Sequence, residues 1–195
     1  LAQRRFRVAE NMHMKRLLVL PLLALLLAGC TSSSDHGHMD DMMESPATNS
    51  AYSTTDVMFA EMMIPHHQQA VVMSDLALER STNADVRALA QQIRDAQAPE
   101  IEQMKTWGAT GEEHMGHTMQ GMLTDSEMSA LEAARGAAFD RLFLEGMVQH
   151  HEGAIDMAQM ILASKNTEAR TLGENIVSSQ TAEIERMRAI LAGLS

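Results

Sequence analysis

Two vicinal histidine pairs, His66-His67 and His150-His151, sit in segments that read alike: FAEMMIPHHQQAVVM over 59–73 and FLEGMVQHHEGAIDM over 143–157. Phe, Glu, Met, His-His, Ala and Met recur in register, offset by 84 residues. The likeness runs on into 84–104 and 167–187, there offset by 83. Imidazole is the commonest protein metal ligand and the side chain most readily switched near neutral pH. One pair in each copy of a duplicated hairpin can place four imidazoles around a single site.

The spacing says where those rings point. Phe59, Met63, His66, Ala70, Met73 and Ala77 follow a 4-3-4-3-4 pattern, and Phe143, Met147, His150, Ala154, Met157 and Ile161 repeat it. That is the seam of a helix facing its partners. His66 and His150 are therefore expected on the buried stripe, with His67 and His151 about 100° round, toward the flank. Met63 and Met147 stand one turn before the outer histidines, where thioether and imidazole can meet. In the later segments Gln97 with Glu100 and Gln180 with Glu183 repeat in register. Buried polar groups need partners, so these four are expected to join the histidines in one hydrogen-bonded network. Two uses of the histidines stay open: core residues satisfied by Glu or Gln, and metal ligands.

A second class of candidate lies in polar loops. DHGHMDDMME (35–44) carries His36, His38 and Met39, and EEHMGHTMQGM (112–122) carries His114, Met115, His117 and Met119. Short runs of imidazole and thioether suit Cu(I), a soft ion, better than Zn(II), which prefers Cys, His and carboxylate. An acidic linker that binds nothing is the alternative for both loops.

The elements that must position these residues read as four amphipathic helices. Helix 1 is expected over 56–80 with Thr55-Asp56 as its cap and Pro65 kinking it before His66. Helix 2 spans 84–107 after Asn83. Thr124 with Glu127 forms a capping box opening a helix to about 164, weakened at Gly136. Thr167 caps a last helix ending near Leu191. No stretch alternates as a strand does. The fold expected is all-α, a four-helix bundle made of two helix-hairpin repeats.

Residues 15–30, KRLLVLPLLALLLAGC, have the layout of a bacterial secretory signal, with an apolar core too short to span a bilayer. Leu27-Ala28-Gly29-Cys30 resembles a lipobox, which would make Cys30 a lipidated N-terminus anchoring the protein to a membrane. Residues 1–13 then read as an upstream extension before Met14. The domains expected are a leader over 1–29, a Met/His/Asp-rich tether over 30–52, and the helical domain over 53–195 with its Met/His loop at 108–123.

Removing 1–29 leaves 10 basic and 25 acidic residues, a net charge of −15. Nucleic-acid binding is excluded on that balance, since phosphate contacts need a basic footprint. A metal ion is the partner favoured; no protein partner is specified. With the sole Cys used for the anchor, soft-metal chemistry falls to His and Met. No Glu-x-x-His occurs, so a carboxylate-bridged di-iron enzyme is disfavoured. Nor is there a P-loop or a nucleophile elbow, so the chain is not expected to be an enzyme.

Together Asp56-x-x-Phe59, Met63-Ile64-Pro65-His66-His67, Ala70, Met73, Gln97, Glu100-Ile101, Met104 and Trp107, echoed by Asp140-x-x-Phe143, Met147-x-x-His150-His151, Ala154, Met157, Gln180, Glu183-Ile184 and Met187, resemble the DUF305 family of bacterial exported proteins. The resemblance covers about 54–192 and implies a ferritin-like four-helix fold. Some members are associated with periplasmic copper binding and copper resistance, which implies a copper ion for the His and Met candidates. The chain departs from the pattern in its second half, where Gln149 replaces proline and no Trp follows Met187. The function expected is extracytoplasmic copper sequestration or resistance. The alternatives are a metal-free structural or interaction module and a metal-dependent redox enzyme.

Overall fold

The structure, a computed structural model, describes residues 51–112 and 119–194, all within the unit Pro46–Ser195. These residues form five α-helices: α1 Thr54–Arg80, α2 Ala84–Lys105, α3 Asp125–Ala133, α4 Gly136–Ala158 and α5 Thr167–Gly193. No described helix is long and apolar enough to cross a membrane. The chain before residue 51, with Cys30, the leader and the tether, lies outside the described residues, as do 113–118.

Local chemistry sets the helix ends. Ser53, not Thr55-Asp56, caps α1, because Asp56 returns its carboxylate to the Ser53 backbone in a reciprocal box. Asn83 caps α2, and its counterpart Asn166 caps α5 one residue earlier than expected. Thr124 and Glu127 form the expected box on α3. The helix expected from there to 164 is two helices. Gly136 sits at φ +59, a left-handed conformation that breaks the run. The Arg135 guanidinium donates to the carbonyls of Glu132, Ala133 and Ala134, satisfying the groups a helix end leaves open. The far end also stops early, at Ala158, and tightens into turns bonded from Gln159, Met160 and Ile161. Pro65 lies inside a continuous α1.

α1 pairs with α2 and α4 with α5 as two hairpins, which meet mainly through α1 and α4; α3 lies along α4. The buried apolar residues fall into two clusters. One holds Ala70, Met73, Leu89, Ile93, Phe139, Phe143 and Met187; the other holds Phe59, Met63, Ile101, Met104, Ala158 and Ile176. Each long helix contributes to both, and the switch comes at the same kind of place. On α1 it falls at His66-His67, on α2 at Gln97 to Glu100, on α4 at His150-His151, and on α5 at Gln180 to Glu183. A polar layer thus divides the core of the paired hairpins.

Candidate metal centre

Helical spacing brings the histidines together: α1 and α4 cross where both carry a His-His pair. All four imidazoles are 0% exposed. His66 and His150 are neighbours, with ring centroids 3.8 Å apart and planes 41° to each other. His67 and His151, expected toward the flank, are as deeply buried as the inner pair. The flank of α1 is covered by α2 and that of α4 by α5, each bringing a glutamate. His67 Nε2 lies 2.8 Å from Glu100 Oε2, and His151 Nε2 lies 2.8 Å from Glu183 Oε2.

The remaining Nε2 atoms meet backbone carbonyls. His150 donates to the His66 carbonyl at 2.9 Å, and His66 to the Gln120 carbonyl at 3.3 Å. A carbonyl or carboxylate can only accept, so each ring, when neutral, carries its proton on Nε2. That leaves the lone pair on Nδ1, and all four Nδ1 atoms are buried without a hydrogen-bond partner. Each such orphan costs about 1–3 kcal/mol unless something occupies it.

Burial keeps three of those lone pairs free. It lowers His66 to about 3, helped by the neighbouring His67. Burial pushes His150 well below its ordinary value, helped by the adjacent histidines. Burial also lowers His151, partly offset by its bond to Glu183. These three rings are neutral at pH 7. Neutral imidazoles whose second nitrogen is held by a carboxylate or carbonyl have the orientation seen in metal ligands.

A strap of residues 119–123 lies against the inner pair, with the Gln120 carbonyl on His66. Earlier in the chain Glu61 accepts from Thr110 N at 2.7 Å and Gly111 N at 2.6 Å, and Gly111 sits so close to Ile64 that a Cβ there would clash. In the strap itself Gln69 and Leu123 exchange two bonds of 2.9 and 2.8 Å, and Gln120 reaches Asp156 at 2.6 Å. Gly121 rests on Gly153, where a Cβ would strike the Gln120 carbonyl. Glu61, Gln69, Gln120 and Gly153 were not singled out by the sequence as loop-holding residues. The signal was present: Gln69 and Gly153 occupy the same position after each His-His pair and differ.

The other candidates are dispersed. Met63 and Met147 are fully buried, one in each apolar cluster. Met119 is half-buried and closes a turn with Met122. Gln97 has neither amide atom bonded, and Gln180 leaves its Oε1 unpartnered, so the hydrogen bonds shown run through the glutamates. His36, His38, Met39, His114, Met115 and His117 lie outside the described residues. Among the described residues no three of His, Cys, Asp and Glu form a group that would hold a metal ion. The rings in contact are those of His66 and His150, and two imidazoles suit a low-coordinate soft ion rather than four-coordinate zinc.

Residues 56–191 match the family described as Domain of unknown function (DUF305). No curated protein matches. Three solved structures are similar. A candidate secreted DUF305 protein from Streptomyces coelicolor is 32% identical, with a TM-score of 0.65 over 72% of this chain and 93% of its own. A DUF305 fragment from Deinococcus radiodurans is 31% identical, TM-score 0.66, over 73% and 98%. CopM in a Cu(II)-bound form is 34% identical, TM-score 0.63, over 72% and 97%. CopM has also been solved with Cu(I) and with silver.

Proposed function

The chain belongs to the DUF305 family, and from that premise we propose that it binds copper outside the cytoplasm, sequestering it for resistance. The carrying observation is the set of four buried Nδ1 atoms with no partner, on rings whose Nε2 atoms are already bonded. The likeness to CopM, solved with Cu(II), Cu(I) and silver, supports copper as the ion bound. The likeness to a candidate secreted protein supports export. In this reading the role is binding rather than catalysis. His66, His67, His150 and His151 are the inner ligands. Met63 and Met147 flank them, and Glu100 and Glu183 hold the outer rings, with Gln97 and Gln180 a turn earlier on α2 and α5.

Around that centre the proposal keeps the sequence's layout. Residues 1–29 are a leader, Cys30 carries a lipid anchor, and 30–52 is a tether. The domain from 53 is a ferritin-like four-helix bundle of two duplicated hairpins. His36, His38, Met39, His114, Met115, His117 and Met119 are capture ligands. A competitive Cu(I) titration of the full chain and of a His66/His67/His150/His151 quadruple Ala variant tests this. Loss of the tightest site in the variant is expected; unchanged stoichiometry and affinity would remove the inner site.

One observation favours a second reading. Every Nε2 is satisfied within the protein, so the His/Glu layer could serve only to fix the packing register of the hairpins. In that case the quadruple variant loses stability and the wild-type chain binds no copper.

A further inference from the structure

The four imidazoles are sealed from solvent, so an ion bound for their Nδ1 atoms must pass one of the walls around them. Over α1 and α4 the wall is the segment 119–123, pinned by Gln69 on Leu123 and by the backbone contact of Gly121 with Gly153. Beside His151 it is Glu183, held at both oxygens. Oε2 accepts from His151, Oε1 accepts from Gln92 at 3.0 Å, and Arg186 donates to Gln92 at 3.0 Å. That glutamate side chain is 5% exposed.

Glu100 is built differently. Its Oε2 takes His67 at 2.8 Å, but among the described residues no hydrogen bond reaches Oε1, and the side chain is 19% exposed. One carboxylate therefore touches a sealed ring, His67, with one oxygen and leaves the other toward solvent. Gln97, a turn earlier on the same face of α2, has a buried amide engaged by nothing.

Resting on the copper reading, we infer that Glu100 is the port of the centre: a monovalent soft cation, Cu(I) or Ag(I), lands on its outer oxygen and passes to the Nδ1 lone pairs. Glu183 orients His151 and takes no part in uptake. The chemistry suits a relay. Carboxylate is a hard donor that draws a cation by charge yet holds Cu(I) loosely, so it releases the ion to softer imidazole. A net charge of −11 already favours cation approach, and a charged mouth raises the rate of capture further.

The test is stopped-flow transfer of Cu(I) from its coloured bicinchoninate complex to the full chain, read as loss of colour. Glu100→Gln is expected to slow transfer about tenfold, beyond any loss of affinity it shares with Glu183→Gln. Glu100→Asp, which keeps the charge, restores most of the rate and separates charge from packing. Glu183→Gln weakens affinity without a comparable slowing, and Gln92→Ala, which frees the second oxygen of Glu183, speeds uptake. Equal rates for wild type and Glu100→Gln, or equal slowing by both glutamate variants, would overturn the port and leave the copper reading standing. A wild-type chain that takes up no Cu(I) would overturn both.

Discussion

The His67–Glu100 and His151–Glu183 pairs use the same residues at the same 2.8 Å, yet one is backed by protein and the other by solvent. The difference lies one residue further out. Glu183 is gripped by Gln92 of α2, whose counterpart on α5 is Asn175. Asn175 is one carbon shorter and stays exposed. Arg186, which steadies Gln92, has Gln103 as its counterpart, and Gln103 instead bonds Glu168 near the start of α5. Repeating a motif thus repeats the chemistry of a pair but not its access, which neighbours set.

Acid should act on both halves at once, and most strongly. His66 from one half, and His150 and His151 from the other, have folded pKa values below their ordinary 6.5. Below pH 6.5 the unfolded chain takes up protons that the folded chain refuses. The stability these rings contribute is full above pH 6.5 and is lost as pH falls toward about 3, the value for His66. Urea unfolding of the metal-free protein across that window should show a loss on the order of several kcal/mol. A flat profile would mean that the rings protonate in place.

Removing the glutamates separates the halves. Glu183→Ala strands a buried imidazole proton and a bonded amide, and should cost about 3 kcal/mol; Glu100→Ala, with solvent at hand, should cost about 1 kcal/mol. Equal costs by denaturant titration would break the asymmetry. The strap offers a parallel contrast. Gly153→Ala, which drives a methyl into the Gln120 carbonyl, should cost about 2 kcal/mol. Gln69→Ala, which loses two bonds to Leu123, should cost about 1 kcal/mol. The smallest and sharpest change is Asn175→Gln. It lengthens the missing clamp, should add about 0.5 kcal/mol, and should slow Cu(I) uptake by closing Glu100.

Periodicity made much of this legible. The 4-3-4-3-4 seam placed His66 and His150 inside, and Asn83 and Thr124–Glu127 announced their helices. The cap of α1 was misplaced by two residues, because Ser53 is fixed there by a reciprocal bond with Asp56. The break at Gly136 was read only as a weakness, because a left-handed glycine depends on what Arg135 finds to bond. The depth of His67 and His151 was missed because the flank of a helix is buried or not according to a neighbour's side chain. Residues such as Glu61 and Gln69 make contacts about 50 residues away in sequence, which no local pattern carries.

In the proposed metal centre the four rings keep their protons on Nε2 and offer Nδ1 to a soft ion. Long-range ¹H–¹⁵N spectra of the histidine rings, recorded before and after one equivalent of Ag(I), test it directly. Nε2-protonated tautomers are expected in the metal-free protein, with Nδ1 resonances that move on metal addition while the Nε2 protons persist. Ring spectra unchanged by bound Ag(I), or ligation through Nε2, would contradict it.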